Sequence, residues 1–335
     1  MRKANICVVV PAYNEEKVIG TSLSALKRVV RKEHIYVVSD GSSDATSKIA
    51  RSYNVNVMTL RANVGKARAL ERLIKSRNLT KRYRYVLFSD ADSKLSDHFY
   101  DEIKKNMRDD IACLMGTVVS DRKGFISAFR TYEYGLSHRF FKKAQSILGV
   151  ITIAPGCDSL YRGDILDKLE FSQRTLSEDF DLTIQIYKKK LGKIVYVPGA
   201  KVITQDPITL KDFWRQIMRW NTGFWQNVFN HKLYKPKGKL ELELYLLVLD
   251  SIFWLFSIAM AILHPHIFLY ILISMYITLL SLSLFIILLE KHFWALVYIP
   301  FFPILYLMNL AAYFGSFFRA LFIRKDFSWS KVGRY

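Results

Sequence analysis

The chain has 335 residues, enough for one large core and a further region beyond it. Hydrophobic residues make up 51% of it, and its formal net charge is +20. Three scattered cysteines, Cys7, Cys113 and Cys157, exclude a disulfide framework or a cysteine zinc cluster, and no nucleic-acid-binding motif accompanies the basic charge.

Met1-Arg2-Lys3 leads straight into the apolar run Ile6–Val10, which stops at Pro11 and is too short for a secretory signal. The soluble part is therefore expected in the cytoplasm. Ile6–Val10, Ile35–Ser39, Val55–Leu60, Tyr85–Ser89 and Ile111–Val119 read as strands. Between them, Glu15–Arg31, Asp44–Tyr53, Lys66–Ser76 and Asp97–Met107 carry helical periodicity. Such alternation predicts an α/β fold, a mostly parallel sheet with helices on both faces. Ligands of such sheets sit beyond the carboxyl ends of the strands. Pro11-Ala12-Tyr13-Asn14-Glu15, Asp40-Gly41-Ser42-Ser43-Asp44 and Asp90-Ala91-Asp92 all fall there.

Asp90 and Asp92 stand one residue apart after the strand Tyr85–Ser89. Period-two alternation would point both carboxylates the same way, as a hard divalent cation needs. Taken alone, Asp at a strand end is as well explained as a turn former. Asp40-Gly41-Ser42 reads alone as a turn and helix cap, and Asp40 as a nucleobase anchor if it is more. Asn63-Val64-Gly65-Lys66 lacks P-loop spacing, although Lys66 is placed to neutralise a diphosphate.

Further along, Gly124–Ser146 reads as an aromatic-rich helix, and Asp179–Lys190 as another. Lys193–Val197 and Lys201–Thr204 read as a strand pair broken at Pro198-Gly199. Ser177-Glu178-Asp179 is either a helix cap or the carboxylate of a general base. Leu210–Asn230 reads as an amphipathic helix suited to a bilayer interface, with Gln216, Arg219 and Trp220 on one face. Leu244–Leu263, Ile267–Leu289 and Phe293–Phe322 are nearly all apolar, each close to or above the roughly 20 residues that span a bilayer. Lys232, Lys235, Lys237 and Lys239 precede the first run, as expected on a cytoplasmic face. Pro300 and Pro303 interrupt the third run, which predicts two full spans and then a broken segment returning the tail to the cytoplasm. The expected domains are 1–208 (soluble), 209–240 (interface helix), 241–323 (membrane) and 324–335 (basic tail).

In order, the signals are Pro11–Glu15, Asp40-Gly41-Ser42, Gly65-Lys66, Asp90-Ala91-Asp92, Ser177-Glu178-Asp179-Phe180-Asp181-Leu182 and Gln216-Ile217-Met218-Arg219-Trp220. This chain resembles the membrane-bound family 2 glycosyltransferases, in particular the synthases of cellulose, hyaluronan, chitin oligosaccharides and poly-N-acetylglucosamine. The resemblance covers about Ile6 to Trp225, and more loosely the membrane segments through Trp329–Arg334.

It implies a GT-A nucleotide-sugar-binding domain with C-terminal transmembrane helices, and inverting transfer from a UDP-sugar, UDP-GlcNAc or UDP-glucose, to a growing glycan. It implies Asp179 as catalytic base with Glu178 beside it. Donor contacts would come from Pro11, Tyr13, Glu15, Asp40, Lys66, Asp90 and Arg219. Mg2+ or Mn2+ would be held by Asp92 and Asp90. Acceptor contacts would come from Gly156 and Asp158, in the segment Pro155–Arg162, and from Gln216 and Trp220. Two features depart from the pattern: Ser39 stands where many relatives have Asp, and N-terminal membrane helices are missing. A pore within one subunit is therefore not expected, which leaves open a homo-oligomer and transfer of one sugar to a polyprenyl phosphate or diacylglycerol; an inactive scaffold is a separate rival, which the presence of every named polar position disfavours.

Overall fold

The computed structural model describes residues 4–235, 238–322 and Gly333. The basic tail expected at 324–335 lies, apart from Gly333, outside the described residues. Eight strands form one sheet in the order β3-β2-β1-β4-β7-β6-β8-β5. They are β1 Ala4–Ala12, β2 Ile35–Asp40, β3 Asn56–Leu60, β4 Tyr83–Phe88, β5 Ser93–Leu95, β6 Ile111–Ser120, β7 Ser159–Arg162 and β8 Lys193–Thr204. The pairs β1–β2, β1–β4, β2–β3 and β6–β8 are parallel, whereas β7 runs antiparallel to β4 and β6, and β5 antiparallel to β8. Six strands therefore share one direction, and their carboxyl ends make one rim.

The helices are α1 Ile19–Val29, α2 Thr46–Ser52, α3 Lys66–Ser76, α4 Leu79–Arg82, α5 Phe99–Lys104, α6 Phe125–Leu136, α7 Lys143–Leu148, α8 Gly163–Leu166, α9 Glu178–Lys188, α10 Leu210–Asn230, α11 Lys239–Leu263, α12 Pro265–Leu289 and α13 Phe302–Phe322. A π-helix, Ser137–Lys142, joins α6 to α7, and a 3-10 run, Phe293–Phe301, leads into α13. Burial on both faces explains the continuous apolar reading of the central strands. In β1, Ile6, Val8 and Val10 face one core and Cys7 and Val9 the other. Leu23 and Leu26 of α1 complete the first core, and Leu70 and Leu73 of α3 the second.

Three expectations change in detail. The helix expected over Gly124–Ser146 is divided by the π-turn. The strand pair expected at 193–204 is one strand, β8, whose register against β6 slips between Met115 and Thr117. The slip absorbs Pro198-Gly199, which cannot keep a regular ladder. Strands β5 and β7 were not expected, being only three and four residues long.

The apolar C-terminal region is built onto the sheet domain. Among the described residues, Phe268–Leu289 and Phe293–Phe322 are long and apolar enough to cross a membrane. Helices α11 and α12 pack as a hairpin, and both its ends are fixed to the domain. Leu240 and Leu244 join a core with Phe180 and Trp225, and Gln145 donates to Glu243 at 2.9 Å. At the other end Ile286 and Ile287 are buried against α6, and Arg139 pairs with Glu290. Near the turn the side chains are exposed and apolar, with Leu263 at 70% and Leu269 at 60%.

Pro303 lies in the first turn of α13, where a missing N–H costs nothing. Helix α13 then lies along α10. Phe302 packs on Phe129 and Tyr132, Trp225 donates to the Tyr313 carbonyl at 3.0 Å, and Thr222 bonds Ser316 at 3.2 Å. Its opposite face, Leu307 and Phe318, is exposed.

Candidate active site

The loops after β1, β2 and β4 meet on the rim. Asn14, at φ 54, accepts from the Ser43 amide at 2.8 Å, and its own amide donates to Ser42 Oγ at 3.1 Å. Thr46 Oγ1 accepts from the Glu15 amide at 2.7 Å. Pro11 lies in β1 opposite Val38, and Tyr13 follows it, half-buried.

Gly41 has φ +68, and a Cβ there would fall 2.3 Å from the Asn63 amide nitrogen. Only glycine allows the 62–63 backbone to come so close. Asp40 uses this approach: its two carboxylate oxygens accept from the amides of Val64 and Gly65 at 2.8 and 2.9 Å. Burial pushes the Asp40 carboxyl above its ordinary range, opposed by those amides and by the Arg72 charge. Asp40 thus fixes the loop that delivers Lys66. Ser39, in place of the family's first Asp, is buried and donates to Ser42 Oγ at 2.9 Å.

Lys66 opens α3. Its Nζ lies 2.9 Å from Asp90 Oδ1 and 2.8 Å from Glu178 Oε1. Burial works to lower the Lys66 pKa, but Asp90, Glu178 and Asp179 together outweigh it and hold the ammonium charged. Burial raises Glu178, and Lys66 opposes that rise.

Asp179 is on the first turn of α9, where the helix N-terminus favours a carboxylate. Its Oδ2 accepts from the Gly156 amide at 3.1 Å, and its Oδ1 from Ser177 Oγ at 3.0 Å and the Phe180 amide at 2.8 Å. Ser177 occupies the N-cap position but makes no side-chain cap bond; its hydroxyl is turned to Asp179 instead. Helix α10 braces the approach to this turn: Gln226 accepts from the Leu176 amide at 2.9 Å, and Asn227 donates to the Ser177 carbonyl at 3.0 Å.

The Asp90–Asp92 step differs from its expected form. Strand β4 ends at Phe88, and the Ser93 amide donates to the Asp90 carbonyl at 3.1 Å. The two carboxylates therefore stand on a tight turn, and strand alternation does not orient them. The chain must turn there because Ser93–Leu95 pairs with β8. Asp92 is half-buried, and its charge reaches Cys157.

Asp158 is fully buried, with neither carboxylate oxygen hydrogen-bonded to another side chain. Burial pushes it up to about 7, and the Asp90 and Asp179 charges add to the rise. Thus Asp90, Glu178 and Asp179 crowd around Lys66, while the cation that faces Asp158 is the buried Lys142. Among the described residues no three His, Cys, Asp or Glu side chains are arranged as a metal site. The donor set nevertheless fits a hard cation: anionic oxygens in excess of cationic charge, on a turn open to a diphosphate that would supply the remaining ligands. Asp92 and Asp90 are the residues that would hold it.

Lys66, Asp90, Gly156, Glu178 and Asp179 are in direct contact, with Asp158 buried behind them. Pro11, Tyr13, Glu15 and Asp40 lie on adjoining loops of the same rim. Gln216 and Trp220 gather instead around Arg130 of α6, and Arg219 stands between them on α10. Sequence reading missed Arg130 and Arg72, which no motif marks; an arginine on an apolar helical face was the available signal at 130.

A sheet of this order, with polar loops and carboxylates on its carboxyl rim, has the GT-A fold. Residues 7–170 match the profile described as Glycosyl transferase family 2. Over that segment, just under half of its length, the chain is similar to the family 2 glycosyltransferases. Among curated relatives, the poly-beta-1,6-N-acetyl-D-glucosamine synthase of Staphylococcus epidermidis is 26% identical over 275 residues, covering 76% of this chain and 63% of the relative. That of Staphylococcus aureus (strain COL) is 25% identical over 265 residues with the same coverage. The chain therefore spans under two thirds of those relatives. A mannosyltransferase from Pyrobaculum calidifontis, solved with GDP-Man and Mn2+, shares the fold at TM-score 0.62 and 15% identity, over 97% of this chain and 89% of that one.

Proposed function

We propose that this protein is an inverting glycosyltransferase that moves a sugar from a UDP-sugar to a growing glycan at the cytoplasmic face of a membrane. One observation carries the reading: the Lys66 ammonium bridges Asp90 and Glu178 while the next residue, Asp179, is held by the Gly156 amide. A diphosphate-binding group and a carboxylate base thus share one constellation. The relatives named as poly-N-acetylglucosamine synthases favour UDP-GlcNAc over UDP-glucose as donor.

The acceptor hydroxyl approaches the anomeric carbon from the side opposite the diphosphate. As the new C–O bond forms and the bond to the diphosphate breaks, Asp179 takes the hydroxyl proton. The three hydrogen bonds to Asp179 fix where its carboxylate points. Lys66 balances charge on the departing diphosphate, and Arg219 is the second cation assigned to it. A divalent cation, held by Asp92 and Asp90 when bound, would supply further positive charge to the diphosphate. Asp40, with the loops at Pro11, Tyr13 and Glu15, would receive the nucleoside. Gly156, Asp158, Gln216 and Trp220 would frame the acceptor.

The two stretches long and apolar enough to cross a membrane, Phe268–Leu289 and Phe293–Phe322, support membrane attachment. The Gly333 amide donates to Asp212 Oδ1 of α10 at 3.3 Å. The small size of this apolar region favours a second reading, transfer of a single sugar to a membrane lipid. A glycan pore would need further subunits, as a homo-oligomer.

The test is UDP or GDP release by purified protein with UDP-GlcNAc, UDP-glucose and GDP-mannose, each with Mg2+ and Mn2+, followed by product sizing on a gel from radiolabelled donor. A ladder of products with a UDP-sugar supports the glycan reading, and one short lipid-soluble product supports the second. Release only from GDP-mannose refutes the UDP assignment.

A further inference from the structure

Arg130 is 3% exposed and belongs to none of the motifs above. Its guanidinium carbon sits 4.7 Å from the ring centroid of Phe213 and 4.7 Å from that of Trp220. Nη2 donates to Gln216 Oε1 at 2.6 Å, and Nη1 to Glu133 Oε2 at 2.6 Å. The other Glu133 oxygen accepts from Asn309 Nδ2 of α13, also at 2.6 Å. Asp206 and Tyr134 also face this group.

A buried guanidinium is tolerated only if it is paired and its faces are covered. Glu133 provides the charge, and the two rings provide the cover. The arrangement has a directional consequence. Guanidinium donates and never accepts, so Gln216 must present its oxygen to Arg130. The Gln216 amide nitrogen is then turned away from Arg130, free to donate. The same flat cation fixes the plane of Trp220, whose ring remains 38% exposed.

We propose that Arg130 is the positioning residue of the acceptor-binding face. It sets the amide orientation of Gln216 and the ring plane of Trp220, and through Glu133 and Asn309 it ties both to the apolar helix α13. The inference rests on the reading of Gln216 and Trp220 as acceptor contacts.

Full-length protein is assayed with UDP-GlcNAc and N-acetylglucosamine oligosaccharides. Arg130→Met keeps an apolar stem beside the rings and removes the fork. It is expected to raise the acceptor KM about ten-fold or more, the scale of a lost hydrogen bond to a charged group. Donor KM and UDP release to water should stay within about two-fold, since neither uses this face. Arg130→Lys keeps the charge and one donor and should fall between Arg130→Met and wild type; it carries the test if Arg130→Met does not fold. In the double variant Arg130→Met, Gln216→Ala, the two effects should not add.

Independently of substrate, acrylamide quenching assigned to Trp220, by difference from Trp220→Phe, should increase in Arg130→Met. Unchanged quenching, or equal losses in donor and acceptor KM, would overturn the proposal. If Gln216→Ala and Trp220→Ala raise the acceptor KM and Arg130→Met does not, Arg130 loses its role while the acceptor face stands. If none of the three raises it, both readings fall.

Discussion

Gly156 and Asp179 are joined by a main-chain amide donating to Oδ2 at 3.1 Å, and a Cβ on residue 156 would lie 3.0 Å from Lys66 Nζ. The obstacle is the flexible tip of a side chain, so the fold should tolerate it while the lysine shifts. Gly156→Ala should therefore keep a near-native melting curve and lose roughly ten-fold in kcat, the scale of a misplaced catalytic group. Paired thermal denaturation and steady-state kinetics check it; full activity would detach Lys66 from the chemistry.

Asp179→Asn removes the proposed proton acceptor and keeps the shape. Turnover should fall by roughly two to four orders of magnitude, with UDP affinity unchanged. Asp92→Ala should do the converse, abolishing the gain in donor affinity that Mn2+ gives. Titration calorimetry with and without the cation separates the two residues.

Asp158 has a folded pKa of about 7 against an ordinary value of 3.8, so its ionisation opposes folding. The stability it permits is complete below pH 4 and is lost as pH rises toward 7, by roughly 4 kcal/mol at most. Asp158→Asn should thus melt higher than wild type at pH 8, with an advantage that shrinks steadily as the pH falls to 4. Melting temperatures across that range test it, and a pH-independent difference would show that the carboxyl is not the cause.

Gly223 lies where α10 crosses the turn before α9. A Cβ there would fall 2.6 Å from Ser177 Cβ and 2.8 Å from the Ser177 amide nitrogen. Alanine usually favours a helix over glycine, but here overpacking wins. Gly223→Ala should destabilise by about 1–3 kcal/mol and disturb Asp179. Urea denaturation is the measurement.

The three native cysteines are buried, so single introduced cysteines can report topology with little background. His266→Cys, at the hairpin tip, should react with an impermeant maleimide in intact cells. Lys291→Cys should react only after lysis. The reverse pattern would place the catalytic domain outside.

The sheet's parallel half was legible because buried strands read as apolar runs between amphipathic helices. The rim loops were legible because each polar segment follows an apolar strand run, and Gly41 marks one turn that needs a special backbone angle. Strands β5 and β7 escaped because three or four residues show no period. The turn at Asp90–Asp92 escaped because it is imposed by a partner, β8, more than a hundred residues away. Arg130 was invisible for a related reason: its rings and its amide come from α10, and only the folded chain brings them to it.

Helix α10 shows one side to the catalytic turn and gives its other side, including Trp225, to α13. Cutting the chain after residue 235 to obtain a water-soluble protein would strip that second side bare and leave a greasy wound beside Glu178 and Asp179. The apolar C-terminal helices and the turn that carries Asp179 are thus braced by one helix, and a detergent that loosens α13 from α10 should be felt at that turn.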